Sequence, residues 1–172
     1  LIASIVPNHD KSLIAHVEDQ LPFLLNSPKE HYIARHFLES IEPSGWLGKS
    51  LDEIHINTKV PYVDLENVLI KLQGSEPTGL FARNLSECLR LQILEKGLMC
   101  HDLSVLLDNL SLLGKGDLKG LVRKIGCDER KIKDFLAIIR SVNPKPGSLF
   151  LSENSNMHKP DLLVRKVGKD WI

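Results

Sequence analysis

Three cysteines in 172 residues, with no Cys-x-x-Cys among them, exclude a disulfide framework and a zinc knuckle. Cys88, Cys100 and Cys127 lie in or beside apolar helical patterns and read as reduced, mostly buried thiols. Aromatic residues make up 5% of the chain, too few for a base-stacking platform on single-stranded nucleic acid. No apolar run approaches the roughly 20 residues that cross a bilayer. The opening Leu-Ile-Ala-Ser-Ile-Val-Pro lacks the basic start of a secretory signal, so a soluble cytoplasmic protein without membrane contact is expected. Neither Gly-x-Gly-x-x-Gly nor Gly-x-x-x-x-Gly-Lys-Ser/Thr occurs, which leaves phosphate-cradling loops unsupported. Among seven histidines there is no His-Glu-x-x-His, and His31 and His36, five apart, fall on different helix faces. No metal or other cofactor is expected. Cys100-His101-Asp102 resembles a catalytic set only in one dimension, because triads assemble from separate elements; no catalytic residue is assigned and no enzyme is expected.

The net charge is zero, yet it is unevenly spread. Residues 1–76 carry 6 Lys/Arg against 11 Asp/Glu and residues 77–172 carry 16 against 11, a split of −5 and +5. Such a polarity suits a protein that meets partners with two different surfaces, and solvated helix faces also produce it.

What is present is helical periodicity. Leu13, Val17, Leu21 and Leu24 predict a helix over about Ser12 to Leu25, with Pro22 kinking or ending it. Ser27, Pro28 and Glu30 form a capping box before Ile33, Ala34, Phe37, Leu38 and Ile41. Leu51 and Ile54 suggest a short helix, and Asp64 is expected to cap one carrying Leu65, Val68, Leu69 and Leu72. Asp102 is expected to cap a leucine-rich helix through Leu113. Leu118 to Ile125 form a short helix, Gly126 turns the chain, and Asp128 caps a last helix with Ile132, Phe135, Leu136, Ile139 and Val142 facing in.

A shift of 67 residues overlays Leu51 on Leu118, Ile54 on Leu121, Leu65 on Ile132, Val68 on Phe135, Leu69 on Leu136, Leu72 on Ile139 and Pro77 on Pro144. Two helix-turn-helix-like units give this echo, and so does the shared periodicity of any two helical hairpins. From Lys115 to Lys145 there are nine Lys/Arg against four Asp/Glu. Lys119, Arg123, Lys124, Arg130, Lys131 and Lys133 form a candidate basic partner-binding face, for DNA phosphates or an acidic protein, with an ordinary solvated face as the alternative.

The most informative stretch is Pro77 to Leu94, Pro-Thr-Gly-Leu-Phe-Ala-Arg-Asn-Leu-Ser-Glu-Cys-Leu-Arg-Leu-Gln-Ile-Leu. Asn84 and Glu87 form a capping-box-like pair, Leu85, Cys88, Leu89, Gln92 and Ile93 make an apolar face, and Leu91 and Leu94 widen it. Arg83 stands before a helix N-terminus, where the dipole disfavours a cation unless a carboxylate answers it. The string resembles the Pro-Pro-Gly-Val-Gly-Ala-Arg-Asp-Leu-x-Glu-Cys-Leu-x-Leu-Gln-Leu signature of the sigma-54 family of bacterial RNA polymerase sigma factors. Further matches follow in the family's order: the helix text at Val17 to Leu21, Ile-Glu-Pro-Ser-Gly-Trp-Leu at 41–47, Ser-Leu-Asp-Glu-Ile at 50–54, Val-Asn-Pro-Lys-Pro-Gly at 142–147 and Lys-Pro-Asp-Leu-Leu-Val at 159–164. Departures are Thr78 for proline, Phe81 for glycine, Asn84 for aspartate, and Pro22 within the first helix. Phe81 puts the usual loop conformation in doubt, since a side chain resists the positive φ that glycine permits.

The resemblance covers about Ser12 to Ile172 and implies the core-polymerase-binding domain of such a factor. It lacks the glutamine-rich activator-responsive region, the DNA-reading helix-turn-helix and the Ala-Arg-Arg-Thr-Val-Ala-Lys-Tyr-Arg-Glu box. The chain ends in mid-pattern after Leu162, Leu163, Val164, Val167 and Trp171, so a fragment is expected. The expected fold is all-α, with a helical bundle over 12–97, a helix-turn-helix-like three-helix unit over 98–150, and the start of a short β element over 151–172. The implied partner is core RNA polymerase, with promoter DNA met only by the full-length factor and the ATPase activator only indirectly. Pro77, Gly79, Leu80, Phe81, Arg83 and Asn84 are the candidate polymerase-binding residues; Phe81 is expected to be buried between subdomains or exposed as an anchor. The alternative is a generic DNA-binding module built on residues 115–145.

Overall fold

The computed structural model describes residues 12–151 and the backbone of 166–167 and 170–171. The protein is all-α apart from a small hairpin at its C-terminal end. The helices are α1 (Leu13–Glu18), α2 (Leu21–Leu24), α3 (Pro28–Leu38), α4 (Leu51–Thr58), α5 (Tyr62–Leu72), α6 (Leu85–Glu95), α7 (His101–Asp108), α8 (Leu110–Gly114), α9 (Leu118–Ile125) and α10 (Glu129–Arg140). A 3-10 helix spans Pro146–Phe150, and β1 (Lys166–Val167) pairs antiparallel with β2 (Asp170–Trp171), Lys166 opposite Trp171. Leu162, Leu163 and Val164, expected to begin the β element, lie outside the described residues. Among the described residues no helix is long and apolar enough to cross a membrane.

Several helix starts differ from expectation for identifiable reasons. The first helix breaks at Asp19, and Pro22 sits in the first turn of α2, where its missing N–H costs nothing. At α3 the Ser27 hydroxyl accepts from the Glu30 amide, but Glu30 turns its carboxylate to the Asn26 amide and to Lys71, so only half of the box forms. The complete capping box belongs to Ser50 and Glu53 at α4, each side chain accepting the other's amide proton. Asp64 does not cap α5, which Pro61 precedes; it pairs with Lys29 instead. Asp102 likewise lies inside the first turn of α7 and is bound by Lys131 at 2.5 Å. The leucine-rich helix divides at Asn109, whose side-chain amide donates to the Val105 carbonyl while its own backbone leaves helical geometry. Cys100 is exposed rather than buried; Cys88 is buried, and that burial raises its thiol pKa.

The 67-residue echo survives in the elements. α4 and α9 begin at Leu51 and Leu118 and end at Thr58 and Ile125, and α5 and α10 begin at Tyr62 and Glu129. Ser50 and Asp117 cap the first helices through their side chains. Lys59 and Gly126 end them in the left-handed region, at φ 58° and 78°, each amide donating to the carbonyl four residues back. The supporting helices are not repeated: α3 packs on α5, whereas α7 and α8 pack on α9.

Buried apolar side chains fall into two clusters. The first gathers α1 to α5 with Leu80, Phe81 and Phe150; the second gathers Leu89 and Ile93 of α6 with α7, α9, α10 and Val142. The chain therefore crosses between them twice, from Phe81 to Leu89 and from Val142 back to Phe150.

Candidate functional site

The two crossings lie side by side, and the segments that meet there are 41–47, 77–92 and 142–147. The Phe81 amide donates to the Gly45 carbonyl at 2.8 Å, the Leu47 amide to the Ala82 carbonyl at 2.9 Å and the Gly147 amide to the Ser44 carbonyl at 2.9 Å. The Trp46 indole N–H reaches the Pro144 carbonyl at 2.9 Å. Gln92, buried on α6, exchanges two hydrogen bonds with the main chain of Asn143: its Nε2 donates to the carbonyl at 2.6 Å and its Oε1 accepts the amide at 2.9 Å. A side-chain amide thus replaces a β-ladder pair, satisfying both polar groups of Asn143 where no strand is available. The approach is tight: a Cβ on Gly79 would stand 2.7 Å from Gln92 Nε2, and one on Gly45 would stand 2.8 Å from the Gly147 nitrogen.

The loop before α6 is built inward. Gly79, Leu80 and Phe81 are buried, Pro77 is half-buried, and Arg83 and Asn84 are exposed. Phe81 adopts φ 58° and is fully buried in the first cluster, so it is neither an exposed anchor nor a residue between the clusters. Burial of the ring offsets the roughly 1–2 kcal/mol that a left-handed conformation costs an L-residue. Asn84 caps α6 by accepting the Glu87 amide at 3.0 Å. Glu87 does not complete the box. Its carboxylate takes the Arg83 amide at 2.7 Å and the Arg83 guanidinium at 2.6 Å, and this is the carboxylate that the cation before the helix calls for. Desolvation pushes the Glu87 pKa up, but the Arg83 contacts outweigh it and the pKa is lowered. Along α6 the expected stripe is narrower: Leu94 is exposed at 54%.

The motifs that meet at this joint are shared with other proteins. The family model described as Sigma-54 factor, core binding domain matches residues 4–172. The chain belongs to the sigma-54 factor core binding domain family. It is 39% identical over 166 residues to an RNA polymerase sigma-54 factor of Cereibacter sphaeroides, covering 96% of this chain and 38% of that protein. An RNA polymerase sigma-54 factor of Rhizobium etli is 36% identical over 162 residues, covering 94% and 31%, and one of Caulobacter vibrioides is 34% identical over 161, covering 93% and 32%. The chain thus spans between three and four tenths of the length of these relatives.

The family's signature splits at Asn84: its loop is inserted into the first cluster and its helix belongs to the second. Gln92, read from the sequence as part of the apolar face, is the residue whose role was missed. A glutamine among leucines was the available signal, since a buried amide must find partners.

The candidate basic residues lie elsewhere, on α9 and α10. Lys119, Arg123, Lys124, Arg130, Lys131 and Lys133 are all exposed. Lys131 is engaged by Asp102 and stands 5.8 Å from the Phe135 ring centroid. Among the described residues the other five have no carboxylate within ion-pair distance.

Proposed function

We propose that this chain binds core RNA polymerase as part of a sigma-54-type transcription initiation factor, and that in the full-length factor it supports activator-dependent initiation. The observation that carries the reading is the family match across residues 4–172. Promoter recognition and the response to the ATPase activator belong to other parts of the full-length factor, and no bond-making chemistry is assigned to this segment.

The joint supports the reading mechanically, because it ties two helical units so that contacts on both add in one docking event. Within the first unit, Ile56, Val63 and Ile70 are exposed at 61%, 69% and 67% on α4 and α5. Protein interfaces are anchored by apolar side chains that lose their water on contact, so these positions are assigned to the polymerase. Mixing the 172-residue chain with purified core polymerase is expected to give a complex at low micromolar concentration in moderate salt, and Val63→Asp with Ile70→Asp is expected to weaken it at least about tenfold. Absence of a complex with the unaltered chain would sink the proposal.

A further inference from the structure

The two helix-turn-helix pairs share a frame but not a surface. Under the 67-residue shift the outward positions Tyr62, Val63, Glu66, Asn67 and Ile70 of α5 correspond to Glu129, Arg130, Lys133, Asp134 and Ala137 of α10, and every one of these ten residues is exposed. On the first helices, Asp52, Ile56 and Asn57 correspond to Lys119, Arg123 and Lys124, again all exposed. Each of the five unpaired cations of the second pair therefore stands where the first pair has an acidic, neutral or apolar residue.

We infer that the α9–α10 face is a site for the phosphate backbone of duplex nucleic acid, and that the α4–α5 face is not. The cations Lys119, Arg123, Lys124, Arg130 and Lys133 supply the contacts; Glu129 and Asp134 flank them on α10 and limit the field. Surface chemistry separates a nucleic acid from an acidic protein as the occupant. Every large apolar side chain that is exposed among the described residues lies between Ile14 and Leu98 or at Leu149 and Leu151, so the second pair offers no apolar anchor of the kind a protein interface is built around. A phosphate backbone requires none, since displaced counterions supply the driving force. The absence of exposed aromatic rings on this face excludes base stacking, which favours duplex over single strand. The experiment therefore uses duplex of random sequence, because contacts to the phosphate backbone carry no sequence information. The inference stands on charge and surface alone and holds whether or not the chain binds polymerase.

The test is fluorescence anisotropy of a labelled random-sequence DNA duplex titrated with the 172-residue chain, without polymerase. Five phosphate contacts predict a log–log salt slope of about −4.5, so raising salt from about 50 to about 200 mM is expected to weaken binding about 500-fold. Lys124→Asn with Lys133→Glu places in the second pair the residues the first pair holds at those positions; it is expected to reduce the slope to about −2.7 and the low-salt affinity at least about tenfold. Arg123→Asn with Arg130→Asn provides an independent variant at exposed positions and is expected to do the same. No anisotropy change at low salt, a slope shallower than about −2, unchanged binding by both variants, or equal displacement by polyglutamate of matched charge would overturn the inference.

Discussion

Leu65 and Ile132 occupy the same place in two helix-turn-helix pairs, each essentially without solvent exposure, while the residues two positions earlier on the outward face, Val63 and Arg130, share only their exposure. Inward positions of the pairs agree in chemistry because the geometry of two helices crossing over a three-residue turn demands apolar side chains at those places. Outward positions are released from that demand. What the difference teaches is that the frame constrains cores and caps, and leaves the surface to be set by whatever each pair meets.

The comparison breaks most severely at the cores. Leu65→Ala and Ile132→Ala are each expected to cost about 2–5 kcal/mol. If the two clusters have separate stabilities, each substitution lowers only its own transition when thermal unfolding is followed by hydrogen exchange at residues of both units. Loss of both transitions together from either substitution would show one cooperative core.

Next comes the joint. Gln92→Leu keeps the volume but leaves the Asn143 amide without its partner and its carbonyl with only the long Cys88 thiol contact at 3.8 Å, an expected loss of about 1–3 kcal/mol. Exchange of the Asn143 amide proton is expected to accelerate well before that of Ile132. Equal acceleration throughout the second unit would make Gln92 a general core residue rather than the tie between units.

The turns sharpen the comparison with opposite signs at one structural position. Gly126→Ala forces a side chain into φ 78° and is expected to destabilise by about 1 kcal/mol, whereas Lys59→Gly relieves φ 58° and is expected to stabilise by up to about 1 kcal/mol. Chemical denaturation of the two variants measures both. The same sign for both would mean that Lys59 gains more from its surroundings than its backbone loses.

The smallest effect is in acid. Glu87 has a lowered pKa in the folded chain, so the stability it contributes is fully present above the unfolded glutamate value of about 4.3 and is lost as pH falls through that value toward its folded pKa. Glu87→Gln is expected to flatten the acid limb of a stability–pH curve below about pH 5, and an unchanged limb would remove the Arg83 pair as a contributor.

Much of the fold was legible before the structure. The apolar periodicity of α3, α5, α6 and α10, the Gly126 turn and the Asp128 cap all follow from local chemistry, in which a residue's neighbours three and four positions away decide its state. The helix starts at Asp64 and Asp102 were misread because an acidic residue in a first turn is favoured by the helix dipole as well as by capping, and their actual partners, Lys29 and Lys131, lie 35 and 29 residues away. The loop candidates show the same boundary. Arg83 announced the need for a carboxylate, and Glu87 was four residues away to be found. Phe81 announced only that something unusual occurred, because whether a ring at positive φ is strained or sheltered depends on which cluster surrounds it.

By itself the sequence determined that the chain is helical, where most helices run, that its two halves differ in charge, and which family its motifs resemble. Local periodicity, turn residues and ordered motifs carry that information without reference to distant contacts. Only the tertiary structure decided that residues 41–47, 77–92 and 142–147 form one joint, that Phe81 is sheltered, and that one repeated frame presents an apolar face on one copy and a basic face on the other. These depend on backbone groups and side chains that meet across as many as 98 residues, and hydrogen bonds such as that of Trp46 to Pro144 leave no periodic trace in the chain.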